Sequence, residues 1–274
     1  MYSKIEEYLK RINYRDTRIL PIQLLKDLHR HHVFSIPFEN LDVHLNKPIL
    51  LDEESLTQKI IRSGRGGYCY EMNGLFALML KKLRFNVSYL AARVRYNVLP
   101  GITVPRMHML LKVNFSGHVW LCDVGFGGNG LLEPIPLLVG DYGDFQLRMV
   151  GNKYLLSVLI KGRPKELYEF TLEEYLPEDF IPFNYFQSNS DKSPMAKNIL
   201  CTMPTTTGRV TLEGQSLKIR TGDATKTIEI ANWSDYQKAL QEHFNIEIPP
   251  VPGLQIKASN ASLFLLSRDE YFKR

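Results

Sequence analysis

Through the first third of the chain, apolar residues recur at helical spacing. In "SKIEEYLKRI", Ile5, Tyr8 and Ile12 share one helical face. "PIQLLKDLHRHHVFSIP" opens on Pro21, which suits a first helical turn, and stops before Pro37. "EESLTQKIIRSG" predicts a further helix with Gly64 as its C-terminal cap. In "EMNGLFALMLKKLRF", Leu75, Met79 and Leu83 repeat every fourth residue beside Phe76 and Leu80, which predicts an amphipathic or buried helix.

From about Asn86 the period falls from 3.6 to 2. "VSYLAARV", "MHMLLKVN", "HVWLCDVG", "FQLRMVGNKYLLSVLI" and "KELYEFTL" read as short strands punctuated by Gly, Pro and Asn. Short links between neighbouring strands suggest an antiparallel sheet or barrel. Residues 177–207 are rich in Pro, Ser, Thr and Asn and read as an irregular connector. Strands resume in "GRVTLEGQSLKIRTG" and "TKTIEIA", and "SDYQKALQEHF" follows as a helix with Ser234 and Gln237 as its expected capping box. Helices, then strands, then a small mixed unit indicate an α+β fold and not a doubly wound βαβ one.

The 274 residues, 44% hydrophobic and 23% charged, allow one large domain or two to three packed units. No apolar run approaches the roughly 18 residues of a membrane span, so no membrane partner is expected. The N-terminus carries no signal-peptide core, and the expected location is cytoplasmic. Three cysteines, Cys69, Cys122 and Cys201, without a CxxC pair, predict free thiols. A formal charge of +5 without a Lys/Arg block does not favour a nucleic-acid partner, and it is compatible with an anionic small molecule such as a phosphorylated cofactor.

"SGRGGYCYEMNG" places Cys69 where a glycine-rich loop enters a helix. A helix N-terminus offers free N–H groups and partial positive charge, and both stabilise a thiolate. Gly66 and Gly67 would let the backbone approach a ligand, and Arg65 would add charge or anchor the loop. The competing reading is a buried thiol packed as a small hydrophobe.

A nucleophilic cysteine needs a base, and the base needs an orienting group. His29, His31 and His32 fall in a charged helix tail and read as solvated; no partner residues complete a zinc set, and no metal is expected. His44, His118 and His243 occupy a loop, a strand start and a polar helix face. His108 and Asp123 stand apart. In "RMHMLLKVNFSGHVWLCDVGF" two strands flank "NFSG". A turn centred on Phe115 and Ser116 sets His108 directly across from Asp123. A turn centred on Ser116 and Gly117 makes them diagonal neighbours on the same face. Only an odd slip would separate them. Cys122, on the opposite face, reads as packing.

"RGGYCYEMN", "MHMLLKV" and "WLCDVGFGG" together resemble the arylamine N-acetyltransferases of bacterial type, as do "IPFENLDVHL", "LDEESLTQKII" and "GFGGNG". The resemblance is clear from Val33 to Gly130 and weak in the last sixty or so residues. It implies an N-terminal helical bundle (1–85), a central antiparallel β-barrel (86–176), a connector (177–207) and a C-terminal α/β lid (208–274) around a cysteine-protease-like core. By the same resemblance Cys69 matches the acetyl-accepting nucleophile, His108 its activating base and Asp123 the orienting carboxylate. Phe38, Val94 and Phe126 would line the substrate pocket, and Gly127 and Gly128 the approach of coenzyme A. The implied partners are acetyl-CoA as donor and a small aromatic amine as acceptor, with no metal, in a monomer or homodimer. The connector "NYFQSNSDKSPMAKNILC" departs from the family's aromatic and Ser/Thr-His-Pro pattern. An amide synthase, a papain- or transglutaminase-like thiol enzyme, or a binding module that keeps the fold are the alternatives.

Overall fold

In a computed structural model, which describes residues 3–15, 21–99, 101–115 and 117–249, the N-terminal third is helical. Helix α1 (Lys4–Arg11) starts at Ser3, whose hydroxyl accepts from Glu6 N while the Glu6 carboxylate accepts from Ser3 N. That reciprocal pair satisfies two end donors that the helix leaves free. Helix α2 (Pro21–Ser35), strand β1 (Phe38–Glu39) and the short helices α3 (Leu41–His44) and α4 (Glu53–Leu56) follow. A π-helical turn, Thr57–Arg62, runs from α4 to Gly64, whose φ of +66° ends it in the left-handed region. Helix α5 (Cys69–Lys82) is the centre of this unit. Its Leu75, Phe76, Met79 and Leu80 are completely buried. Each such side chain contributes about 1.5–3 kcal/mol through burial.

Eight antiparallel strands then form a nearly closed barrel: β2 (Asn86–Val94), β3 (His108–Phe115), β4 (His118–Cys122), β5 (Ile135–Pro136), β6 (Gly140–Tyr142), β7 (Phe145–Val150), β8 (Lys153–Ile160) and β9 (Arg163–Tyr175). Their spatial order is β5-β4-β3-β2-β9-β8-β7-β6. The period of two sorts β3 between two cores. Met109, Leu111 and Val113 pack with the helices, while Leu110 packs inside the barrel with Leu90, Leu121 and Leu156.

Residues 177–207 are more regular than their composition suggests. A 3₁₀ turn (Pro177–Asp179) leads into helix α6 (Phe180–Asn189), and helix α7 (Pro194–Lys197) precedes strand β10 (Leu200–Thr205). Phe180 is fully buried against Tyr70, Tyr89 and Tyr175, so aromatic packing holds a segment whose polar residues read as loop. Strand β10 opens a second sheet with β11 (Gly208–Glu213), β12 (Ser216–Thr221) and β13 (Ala224–Glu229), and β1 joins it by pairing Phe38 with Thr202. Helix α8 (Trp233–Phe244) covers this sheet with Tyr236, Leu240 and Phe244. Its cap is Asn232, which accepts from Asp235 N at 3.0 Å, and not the expected Ser234–Gln237 box. Asparagine is as good a cap as serine, so the helix begins earlier. Residues 250–274 of the expected lid, and Ser116 at the hairpin turn, lie outside the described residues. No helix of the described residues is long and apolar enough to cross a membrane.

Candidate active site

Cys69 is the first residue of α5, where the helix start is fixed by Glu71, whose carboxylate accepts from Tyr68 N at 3.1 Å. The loop before it is held by protein, not opened to a ligand. A Cβ on Gly66 would lie 1.9 Å from the Pro37 carbonyl, and one on Gly67 would lie 2.8 Å from Glu71. The two glycines therefore allow the loop to pack against β1 and α5, which corrects the expectation that they clear space for a ligand. Arg65 anchors the loop: it binds Glu39 and Asp42, each at 2.9 Å. Lys59 completes the cluster with Asp42 at 2.7 Å and Glu71 at 2.6 Å. Burial pushes the Glu71 carboxyl up to about 7; Lys59 opposes the rise and Glu39 adds to it. Arg11 ties the same loop to α1 through the carbonyls of Gly64 at 3.0 Å and Arg65 at 3.3 Å.

His108 opens β3, opposite Ala92 of β2. Phe115 pairs with His118 and Leu111 with Cys122, so the hairpin follows the second of the two expected registers. Asp123, one residue past β4, is thus a diagonal neighbour of His108. The His108 Nε2 lies 2.8 Å from Asp123 Oδ2, and both side chains are buried. Phe126 meets the imidazole edge-on at 5.3 Å, and Tyr168 lies at the same distance. Burial disfavours charge on His108, but Asp123 outweighs it, with a further contribution from Cys69, and lifts the imidazole to about 10. Asp123 stays well ionised: burial works against it, and His108, Asn73 and the Gly125 amide hold it below the ordinary range.

The loop after Asp123 closes on Cys69. A Cβ on Gly125 would lie 2.8 Å from Cys69 Cα and 2.7 Å from Asn73 Nδ2. The Cys69 sulfur sits 4.0 Å from the Met107 carbonyl, which also accepts from the Tyr70 hydroxyl at 2.8 Å. The His108–Asp123 pair thus lies beside the start of α5, where Cys69 contributes to the charge of His108.

An N-acetyltransferase family model matches residues 21–251. The arylamine N-acetyltransferase of Escherichia coli is 32% identical over 251 residues, 89% of each chain. The chain belongs to the arylamine N-acetyltransferase family. The Salmonella typhimurium arylamine N-acetyltransferase / N-hydroxyarylamine O-acetyltransferase is 30% identical over 92% of each chain. Among solved structures, the Mycobacterium marinum arylamine N-acetyltransferase in complex with CoA superposes with a TM-score of 0.83 at 31% identity, covering 88% of this chain and 92% of that one.

The residues that the arylamine N-acetyltransferase resemblance assigns to substrate and cofactor are partly gathered. Phe38, Phe126 and Gly127 line a cavity of about 30 Å³ together with Asp123, Val124, Met72 and Arg209. Gly127 has φ of +66°, and the Phe38 ring fills the place its Cβ would take. Gly128, φ +41°, is next in the loop and does not line the cavity. Val94 ends β2 opposite Tyr168 and does not line it either. A larger cavity of about 690 Å³ lies beside Lys59, Asp42 and Glu71, and Cys69, His108 and Asp123 are not among its walls.

Two further residues shape the site. Asn73 donates to Asp123 Oδ1 at 2.9 Å and to the Met109 carbonyl at 2.8 Å, and accepts from Val124 N at 2.9 Å. Its signal was present: it is an amide four residues after Cys69, on the same face of an apolar helix. His29 and His32, expected in a solvated helix tail, are fully buried. Leu25, His29, His32 and Ile36 form one helical stripe, which carries α2 onto α5 at Phe76. His29 Nε2 accepts from the Asp123 amide at 3.2 Å, and burial, against the pull of Asp123, lowers the His29 imidazole to about 4. The other thiols are inert packing. Burial pushes Cys122 and Cys201 well above the ordinary thiol range.

Proposed function

We propose that the protein transfers an acetyl group from acetyl-CoA to an arylamine, arylhydrazine or arylhydroxylamine through an acetyl-Cys69 intermediate. The observation that supports this most is the imidazole of His108, which binds Asp123 at 2.8 Å and draws additional charge stabilisation from Cys69. An imidazolium beside a cysteine at a helix start favours the thiolate, the nucleophilic form.

In the first half-reaction the Cys69 thiolate attacks the thioester carbonyl. The tetrahedral intermediate breaks its bond to the CoA sulfur, and His108 supplies a proton to the departing thiolate. In the second, the neutral amine attacks the acetyl carbon, His108 takes the proton that the nitrogen sheds, and the Cys69 thiolate leaves. Asp123 keeps the imidazole oriented and its charged form stable through both. The amides of Val124 and Gly125 are engaged by Asn73 and Asp123. That leaves the oxyanion role to the amides at the start of α5 or to those of residues 126–128. Phe38 and Phe126 would meet the flat ring of the acceptor, and the C-terminal sheet with α8 would act as the lid.

A double-displacement mechanism predicts parallel double-reciprocal lines when acetyl-CoA and the amine are varied together. Intersecting lines would mean that both reactants occupy the site at once, and would remove the acetyl-cysteine from the cycle.

A further inference from the structure

Arg209 stands on β11 directly opposite Arg220 of β12, and its side chain lines the cavity shared with Asp123, Phe126 and Gly127. Its Nε is buried without a hydrogen-bond partner, and neither arginine has an ion pair among the described residues. Two like charges facing each other across a ladder repel, and a half-buried guanidinium whose Nε has no partner is costly. Burial first, and Arg220 second, lower Arg209 to about 10, so it remains charged near neutrality. Lys165 sits 5.5 Å from the Tyr96 ring, and Tyr96 is the neighbour whose electrostatics favour charge on Arg209. The Tyr96 hydroxyl in turn accepts from Asn129, in the loop after Gly127 and Gly128.

We propose that Arg209 is the recognition point for an anionic group carried by one of the two reactants: a phosphate of CoA, or a carboxylate on the ring of the amine acceptor. The inference rests on the acetyl-transfer reading above. A cavity of about 30 Å³ is too small for a whole reactant, so it is a charged end group that reaches Arg209. Such a group would supply the missing counter-charge, and the planar fork of Arg209 suits two oxygens at once.

The test compares two matched pairs on the full chain. Calorimetry gives Kd for CoA and for pantetheine, which lacks phosphate. Initial rates give KM for 4-aminobenzoate and for its ethyl ester, which lacks the carboxylate. In Arg209→Met the anionic member of one pair should weaken by roughly ten- to a hundredfold relative to its neutral partner, the size of a lost charge-assisted hydrogen bond. Selective weakening of 4-aminobenzoate assigns the acceptor carboxylate, and selective weakening of CoA assigns the phosphate; either supports the proposal. Equal weakening of charged and neutral members, or none, overturns it. If R209M does not fold, R209K carries the test, since it keeps a charge but loses the fork and should show a smaller effect of the same selectivity. Wild-type transfer from acetyl-CoA to the ethyl ester keeps the two readings apart: its absence defeats the acetyltransferase assignment, whereas its presence with an indifferent Arg209 defeats only the anion site.

Discussion

Asn73 and the Asp123 loop hold each other from both directions. Asn73 Nδ2 donates to Asp123 Oδ1 at 2.9 Å, and the Val124 amide donates back to Asn73 Oδ1 at 2.9 Å. Asn73→Ala leaves buried donors and acceptors unmatched on two elements. It should lower unfolding free energy by about 2–4 kcal/mol, measured by urea titration. Asn73→Asp sets a second carboxylate against Asp123 and should cost more. A change below about 0.5 kcal/mol in N73A would show that the loop is held by other contacts.

Asp123 controls the charge of His108. The imidazole is raised to about 10, so it stays protonated across pH 6–8. Because the folded value exceeds the unfolded 6.5, this pair's stabilisation is fully present below pH 6.5 and fades as pH rises toward 10. In Asp123→Asn, burial is left to dominate and the imidazole should titrate below its ordinary value. NMR titration of the histidine ring reads this directly. Single-turnover acetylation of D123N at pH 7 should fall about a thousandfold. A wild-type His108 that titrates near 6.5 would remove the proposed ion pair.

His29 makes the opposite contribution. Folding lowers it from 6.5 to about 4, so the unfolded chain takes up a proton first as pH falls. Stability is unaffected above pH 6.5 and declines between 6.5 and 4. His29→Gln can still accept from the Asp123 amide but does not titrate. The wild type should therefore lose roughly 3 kcal/mol more than H29Q across that window, in urea unfolding at several pH values. Parallel pH profiles would mean that His29 is hydrated in the folded state. His32, also lowered by burial, acts in the same direction.

The thiols should separate by reactivity. Cys122 and Cys201 are completely buried, and burial holds both thiols protonated. They should react only when the fold opens, whereas Cys69, at the head of α5 and 8% exposed, should react in place. Iodoacetamide under native conditions should add one group, at Cys69, and three groups in denaturant. Equal native rates at all three would remove the case for an activated cysteine.

The pairing of His108 with Asp123 was legible because a period of two survives any even slip. Two turn centres gave two registers, and both kept the residues on one face. The place of Cys69 at the head of α5 was legible because the glycine loop and the helix pattern meet there. What escaped were residues whose chemistry looks ordinary locally. "HRHH" is polar by composition, yet His29 and His32 lie on the buried stripe of α2, and only the packing of α5 against it makes them interior. The charges of Glu39, Asp42, Lys59, Arg65 and Glu71 are spread over some thirty residues and gather only in three dimensions. Helix α6 was hidden by its polar flanks, since its first residue, Phe180, is held by Tyr70, Tyr89 and Tyr175 from elsewhere in the chain.

In the proposed cycle Cys69 carries the acetyl group. Intact-protein mass spectrometry after mixing with acetyl-CoA tests it directly. A single acetyl adduct that maps to Cys69 and disappears on addition of an arylamine is the predicted result. An alkylatable Cys69 that gains no acetyl group, while the amine is still acetylated in the same tube, would contradict it.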